Sequence, residues 1–256
     1  MQLTNDAGAT IDATGAAGFR LTIDVGSARI ENAGLLESTG GGGLVIDGDL
    51  NNDGILLAAV GTITLEDCVD YGGGTVIVDA GATLGLHDSV IGTAGPLEIG
   101  SATAAGGLIT TTRGDMIVTR TNDAPAGDAL SISAFNYGAI DVVDNSVLNV
   151  NAFVDDMASS ASLNLMAGGT GVAELVVFGG GTEVEGGVLA MSDAVGNEIL
   201  SNGTSEQFSN GALLTGSGVI GDGYLRFYNA SDGVVDADSS VGLRIVGVSE
   251  GRESAN

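Results

Sequence analysis

The sequence predicts an all-β fold: a single-stranded parallel β-helix, or β-solenoid, with rungs of roughly 20 residues spanning positions 1–256 as one domain. Three observations predict it. Short segments recur without gaps at a fixed spacing, apolar and polar residues alternate with strand periodicity, and glycine is too frequent for helices.

The repeat comes first. Ile30-Glu31-Asn32-Ala33-Gly34-Leu35-Leu36 aligns with Leu50-Asn51-Asn52-Asp53-Gly54-Ile55-Leu56, so that Ile30 meets Leu50, Asn32 meets Asn52 and Gly34 meets Gly54. Phe208-Ser209-Asn210 recurs as Phe227-Tyr228-Asn229. A longer echo joins the two ends: Asn5 with Asn229, Ile11-Asp12-Ala13 with Val235-Asp236-Ala237, and Gly18-Phe19-Arg20-Leu21 with Gly242-Leu243-Arg244-Ile245.

Each unit reads as a strand followed by a turn. In Leu21-Thr22-Ile23-Asp24 and Ile63-Thr64-Leu65-Glu66 every second side chain is apolar, which puts one face in a core and one outside. Clusters such as Asp47-Gly48-Asp49 close the strands, because Gly and Asn tolerate positive φ while Asp and Asn bond their own backbone. A lone unit cannot cover its apolar face, whereas stacked units cover one another. The pattern loosens over about 100–200, where Asp123–Asp128 reads as a loop and Asp155–Ser160 as a loop or one helical turn.

Composition narrows the partners. With 33 acidic and 7 basic residues the formal charge is −26, and every basic residue is an arginine. Nucleic acid is excluded as a partner, since phosphate binding needs clustered cations. No apolar run reaches the roughly 18 residues of a membrane-spanning helix, so the chain is not expected to insert into a membrane. Cys68 stands alone, so no intrachain disulfide forms. Met1–Asp6 has neither a basic nor an apolar stretch of the kind a signal peptide carries. The sequence therefore reads as part of a longer repetitive protein, or one exported by other means.

Ile30–Ser38 and Gly211-Ala212-Leu213-Leu214-Thr215-Gly216-Ser217-Gly218-Val219-Ile220-Gly221 resemble the repetitive passenger regions of large bacterial surface proteins of the autotransporter and filamentous-haemagglutinin type. The resemblance extends over about the first hundred and last fifty residues, and lacks the membrane-anchoring barrel. It implies a right-handed β-helix outside the cell, at the bacterial surface, serving adhesion or biofilm contact. The expected partners are a host-surface or polysaccharide ligand, or neighbouring solenoid segments.

Candidate chemistry is sparse. Asp49, Asn51 and Asp53, followed by Gly54, match the first half of an EF-hand calcium loop, but position twelve is Val60 and the bidentate Glu is missing; an Asx-rich turn is the competing reading. No other cofactor is indicated. Arg113-Gly114-Asp115 falls where a turn is expected. Because β-helices also host polysaccharide hydrolases and lyases, carboxylate pairs matter. The candidates are Asp155 with Asp156, Asp141 with Asp144, Glu183 with Glu185, and Asp236 with Asp238, of which Glu183/Glu185 and Asp236/Asp238, two apart on a strand, share a face. The absence of Trp and Lys, and a single His87 expected in an exposed turn, argue against a sugar-cleaving site. Cys68 follows two acidic residues, which disfavours a thiolate. The reading is a non-enzymatic surface adhesin or spacer, with a carbohydrate-active β-helix enzyme as the alternative.

Overall fold

A computed structural model describes residues 2–70, 72–87, 90–91, 97–99, 108–118, 133–136, 138–150, 153–155 and 161–248. Among them every strand pairing is parallel and no helix occurs. Each rung has three strands. Leu3–Asn5, Thr10–Ala13 and Leu21–Asp24 make the first, and Ile30–Asn32, Leu35–Ser38 and Leu44–Asp47 the second. In these rungs each strand pairs with the strand three further along the chain, and later strands such as Leu108–Val118, Thr182–Met191 and Glu206–Gly216 each run across two faces, so the coil has three sheet faces around one core. The fold class read from the sequence is the one observed.

The core is a set of in-register columns. Ile23, Ile46, Leu65 and Leu86 stack on the third face, and Ile11, Leu36, Leu56 and Val76 on the second. Further along, Ile140, Leu163, Leu189 and Leu214 form another buried column. Alternation explains this directly, since every second side chain of a strand points to the same face. The rings of Phe208 and Phe227 stack with centroids 6.1 Å apart near the C-terminal end.

The 20-residue spacing holds where Ile30 pairs with Leu50 and Leu50 with Asp70. Elsewhere the rungs are longer: Leu3 pairs with Ile30, and Gly114 with Ser146, which are steps of 30 − 3 = 27 and 146 − 114 = 32 residues. In the first rung the extra residues lie between the strands, at 6–9, 14–20 and 25–29, and the strands keep their stacking.

One corner, between the first and second faces, is held by an asparagine ladder. Asn5 Nδ2 donates to Asn32 Oδ1 at 2.7 Å, and Asn32 Nδ2 to Asn52 Oδ1 at 2.6 Å. Each amide also donates to a carbonyl of the following rung, at Leu35, Ile55 and Thr75. Asn32 and Asn52 are fully buried, so these bonds satisfy groups that water cannot reach. The glycine two residues on is required by close approach: a Cβ on Gly54 would lie 2.1 Å from the Gly34 carbonyl oxygen. Asn210 and Asn229 repeat the contact at 2.7 Å on a different corner.

That second contact corrects the simplest view of the 224-residue echo. Asn5 ends a first-face strand, while Asn229 ends Leu225–Asn229, which pairs with Glu206–Asn210 on the second face. The two ends carry the same strand–turn unit one face out of phase.

Arg113-Gly114-Asp115 lies inside the continuous strand Leu108–Val118, where the sequence suggested a turn; the N-terminal part pairs on the third face and the C-terminal part on the first. His87 closes the strand Thr83–His87, half-buried and in register with Glu66, and is not in an exposed turn. Phe153–Asp155 is a strand, which corrects the loop or helical turn expected from Asp155 onward; Asp156, Ser160 and Asp123–Asp128 lie outside the described residues.

Candidate functional site

The second face carries a shallow cleft of about 500 Å³ across three rungs near the C-terminal end. Its frame is the register of three strands. Thr182 pairs with Phe208 and Phe208 with Phe227, all turned toward the core side. The next position in each strand is Glu183, Ser209 and Tyr228, and these three line the cleft together with Gln207.

The Gly179–Gly181 run makes one wall. All three glycines have positive φ, at 68°, 109° and 138°, in the turn that joins the strand Ala173–Val177 to Thr182–Met191. The turn is fixed from below. Gly180 N–H donates to Glu206 Oε2 at 2.7 Å, and Thr204 Oγ1 donates to Glu206 Oε1 at 2.7 Å. Glu206 is only 6% exposed, so a buried carboxylate holds the glycine turn of one rung to the strand of the next. A Cβ on Gly181 would sit 2.7 Å from the Gln207 carbonyl oxygen, which shows how closely the turn lies on that strand.

Of the side chains that line the cleft, Thr182 is engaged, its Oγ1 donating to the Val150 carbonyl oxygen at 3.0 Å. Glu183, Gln207, Ser209 and Tyr228 make no side-chain hydrogen bond with the described residues. Ser209 is 6% exposed and stands between Glu183 and Tyr228 in the register of its column. Tyr228 is 59% exposed and contributes an aromatic side chain. A ring, a carboxylate, an amide and a hydroxyl thus share one open shelf.

Of the carboxylates singled out by the sequence, Glu183 and Glu185 both point outward from Thr182–Met191, on either side of buried Val184. The register also sets Asp155 beside Glu185 on the adjoining rung. Asp141 accepts Asn164 Nδ2 at 2.6 Å, Asp144 accepts Gly168 N–H at 2.8 Å, and Asp238 accepts Thr215 Oγ1 at 3.2 Å, so these three serve rung-to-rung contacts.

Of the calcium candidates, Asn51 lies on a strand that Asp49 and Asp53 flank, and Asn51 Nδ2 donates to Asp53 Oδ2 at 3.3 Å. Leu50–Asn52 is a rung strand with Asn52 turned inward to the ladder. Asn51 Nδ2 donates to Glu31 Oε2 at 2.8 Å, and Asp53 Oδ1 accepts Gly73 N–H at 3.2 Å. Among the described residues no three His, Cys, Asp or Glu side chains are grouped to hold a metal ion.

Sequence reasoning missed Asp70, which takes the column position of Ile30 and Leu50 and is 1% exposed. Its Oδ1 accepts Asn52 N–H at 3.1 Å and Gly72 N–H at 3.0 Å, while Oδ2 is buried without a partner. Burial raises its pKa to about 6, against the pull of those two N–H groups and with a smaller push from Asp53. Cys68 is fully buried, and burial, reinforced by Asp70 and Asp49, holds its thiol well above the ordinary range. Carboxylates do raise the thiol's pKa, but they are Asp70 and Asp49 rather than the Glu66 and Asp67 that precede it in sequence, and burial is the larger cause. The missed signal was a short one: Val69-Asp70 stands where the repeat calls for an apolar residue.

No protein-family model matches the chain, and no curated protein matches it. Among solved structures, it is similar to a TibA fragment hyper-glycosylated by TibC, at 16% identity and a TM-score of 0.34, over 95% of this chain and 99% of that one. So loose a superposition has no bearing on function, and the fold rests on the strand register itself.

Proposed function

We propose that this chain is a non-enzymatic, extracellular β-solenoid that acts at a bacterial surface as an adhesin or structural spacer. The observation that carries the reading is the unbroken stacking of three parallel faces on one core. Such a coil presents outward columns at a spacing of about 4.8 Å, which suits display and reach. Its net charge of −26 keeps strand-rich surfaces from pairing with one another. Glu183 and Glu185 stand on an open face, where water would screen the electrostatics that catalysis relies on.

The host-surface or polysaccharide partner, and stacking against neighbouring solenoid segments, belong to this proposal. The test has two arms. Antibody against the chain is expected to label intact cells of the native host, and labelling only after lysis would overturn the surface assignment. Purified chain is expected to release no reducing ends or unsaturated uronates from acidic or neutral polysaccharides. Turnover lost in Glu183→Gln or Glu185→Gln would replace the proposal with the hydrolase or lyase alternative.

A further inference from the structure

We propose that the cleft formed by Gly179–Gly181, Glu183, Gln207, Ser209 and Tyr228 binds a neutral pyranose unit of a glycan. The inference rests on the surface-display reading and names the ligand class and its site.

Each part of the cleft matches one property of a sugar ring. A pyranose has an apolar C–H face, which packs on an aromatic ring, and Tyr228 offers an exposed ring at the cleft. Its edge carries hydroxyls that both donate and accept. Gln207 provides an amide donor and acceptor, Ser209 a hydroxyl, and Glu183 an acceptor. All four groups are unengaged with the described residues, so no internal bond must break on binding. The glycine wall leaves room: a Cβ on Gly180 would meet nothing within 4 Å. That wall is pre-organised, because buried Glu206 fixes the Gly180 N–H at 2.7 Å. The cleft's volume, about 500 Å³, suits one ring with its neighbours in solvent.

Charge selects among sugars. Glu183 lines the cleft of a protein with net charge −26. A uronate or other acidic sugar would meet like charge there, so the ligand is neutral.

The test is ligand-observed NMR and calorimetry on the whole chain with three soluble probes: a glucose hexamer, an N-acetylglucosamine hexamer and a galacturonate hexamer. Saturable binding of at least one neutral hexamer is expected, and the two neutral probes separate plain from acetamido sugars. Tyr228→Ala is expected to weaken it about tenfold, and Ser209→Val, which fills the floor but keeps the ring, by a similar factor. Phe19→Ala, which removes an exposed ring from the first rung, is expected to leave it unchanged. The proposal is overturned by no saturable binding of either neutral hexamer, by equal affinity for galacturonate, or by equal affinity in Tyr228→Ala and Ser209→Val chains that melt like the parent. Failure to bind leaves the surface-display reading standing. Turnover of a bound hexamer overturns the non-enzymatic reading and leaves the site.

Discussion

Asn32 donates its side-chain amide to Asn52 Oδ1 at 2.6 Å and receives the amide of Asn5 at 2.7 Å, so one asparagine joins three successive rungs. Both bonds run along the coil, parallel to the backbone bonds of the faces. Removing the middle residue therefore strands a donor on one side and an acceptor on the other. Asn32→Ala is expected to destabilise the chain by about 2–3 kcal/mol in urea denaturation, the cost of leaving buried polar groups unpaired. Asn51→Ala, on the outward side of the next rung, should cost under about 0.5 kcal/mol. Equal effects at the two positions would show that the ladder does not stabilise the corner.

Asp70 makes stability depend on pH. Its folded pKa, about 6, lies above that of an unfolded aspartate, so the folded chain holds the proton more tightly. This contribution is full below about pH 4 and is lost as pH rises through 6. At about 1.4 kcal/mol per pH unit, the loss over that window is about 3 kcal/mol. Asp70→Asn is expected to flatten this part of the profile, measured as the difference between parent and variant in denaturant titrations from pH 4 to 7. An unaltered slope would show that the carboxyl is not buried as described.

Cys68 should be silent toward thiol reagents. With the residue fully buried and its thiol pKa raised, labelling at pH 8 is expected to be at least about a hundredfold slower in native chain than in denaturant. Comparable rates would mean that the rung containing Asp70 opens readily.

Calcium is expected to leave the thermal midpoint within about 2 °C of that in chelator at matched ionic strength, because Asn51 and Asp53 already bond neighbouring rungs. A larger, saturable rise that disappears in Asp53→Asn would show a calcium site there.

The strand–turn unit was legible because each rung repeats the same physical demand. Ile30 and Leu50 had to be apolar to stack, Asn32 and Asn52 had to match to bond, and Gly54 had to lack a side chain beneath Gly34. The phase of the distant echo was not legible. A three-sided coil asks the same of every side, so the unit around Asn5 serves equally well around Asn229 on another face. The cleft was half legible. Glu183 was singled out for its spacing from Glu185, but its partnership with Ser209 and Tyr228 depends on rung lengths that turns of varying size set. Asp70 broke the pattern at one position, and only the register shows that it replaces a core residue.

The central claim is the parallel, in-register stacking of rungs, and paired cysteines test it most directly. In a Cys68→Ala background, Glu31→Cys with Asn51→Cys and Glu37→Cys with Leu57→Cys join outward positions that pair across one rung step. Neighbouring strands lie about 4.8 Å apart, within the Cα range a disulfide spans. Mild oxidation is expected to close both pairs within the monomer, while Glu31→Cys with Leu57→Cys, on different faces, stays open. Failure of the in-register pairs, or equal closure of the mismatched one, would contradict the coil.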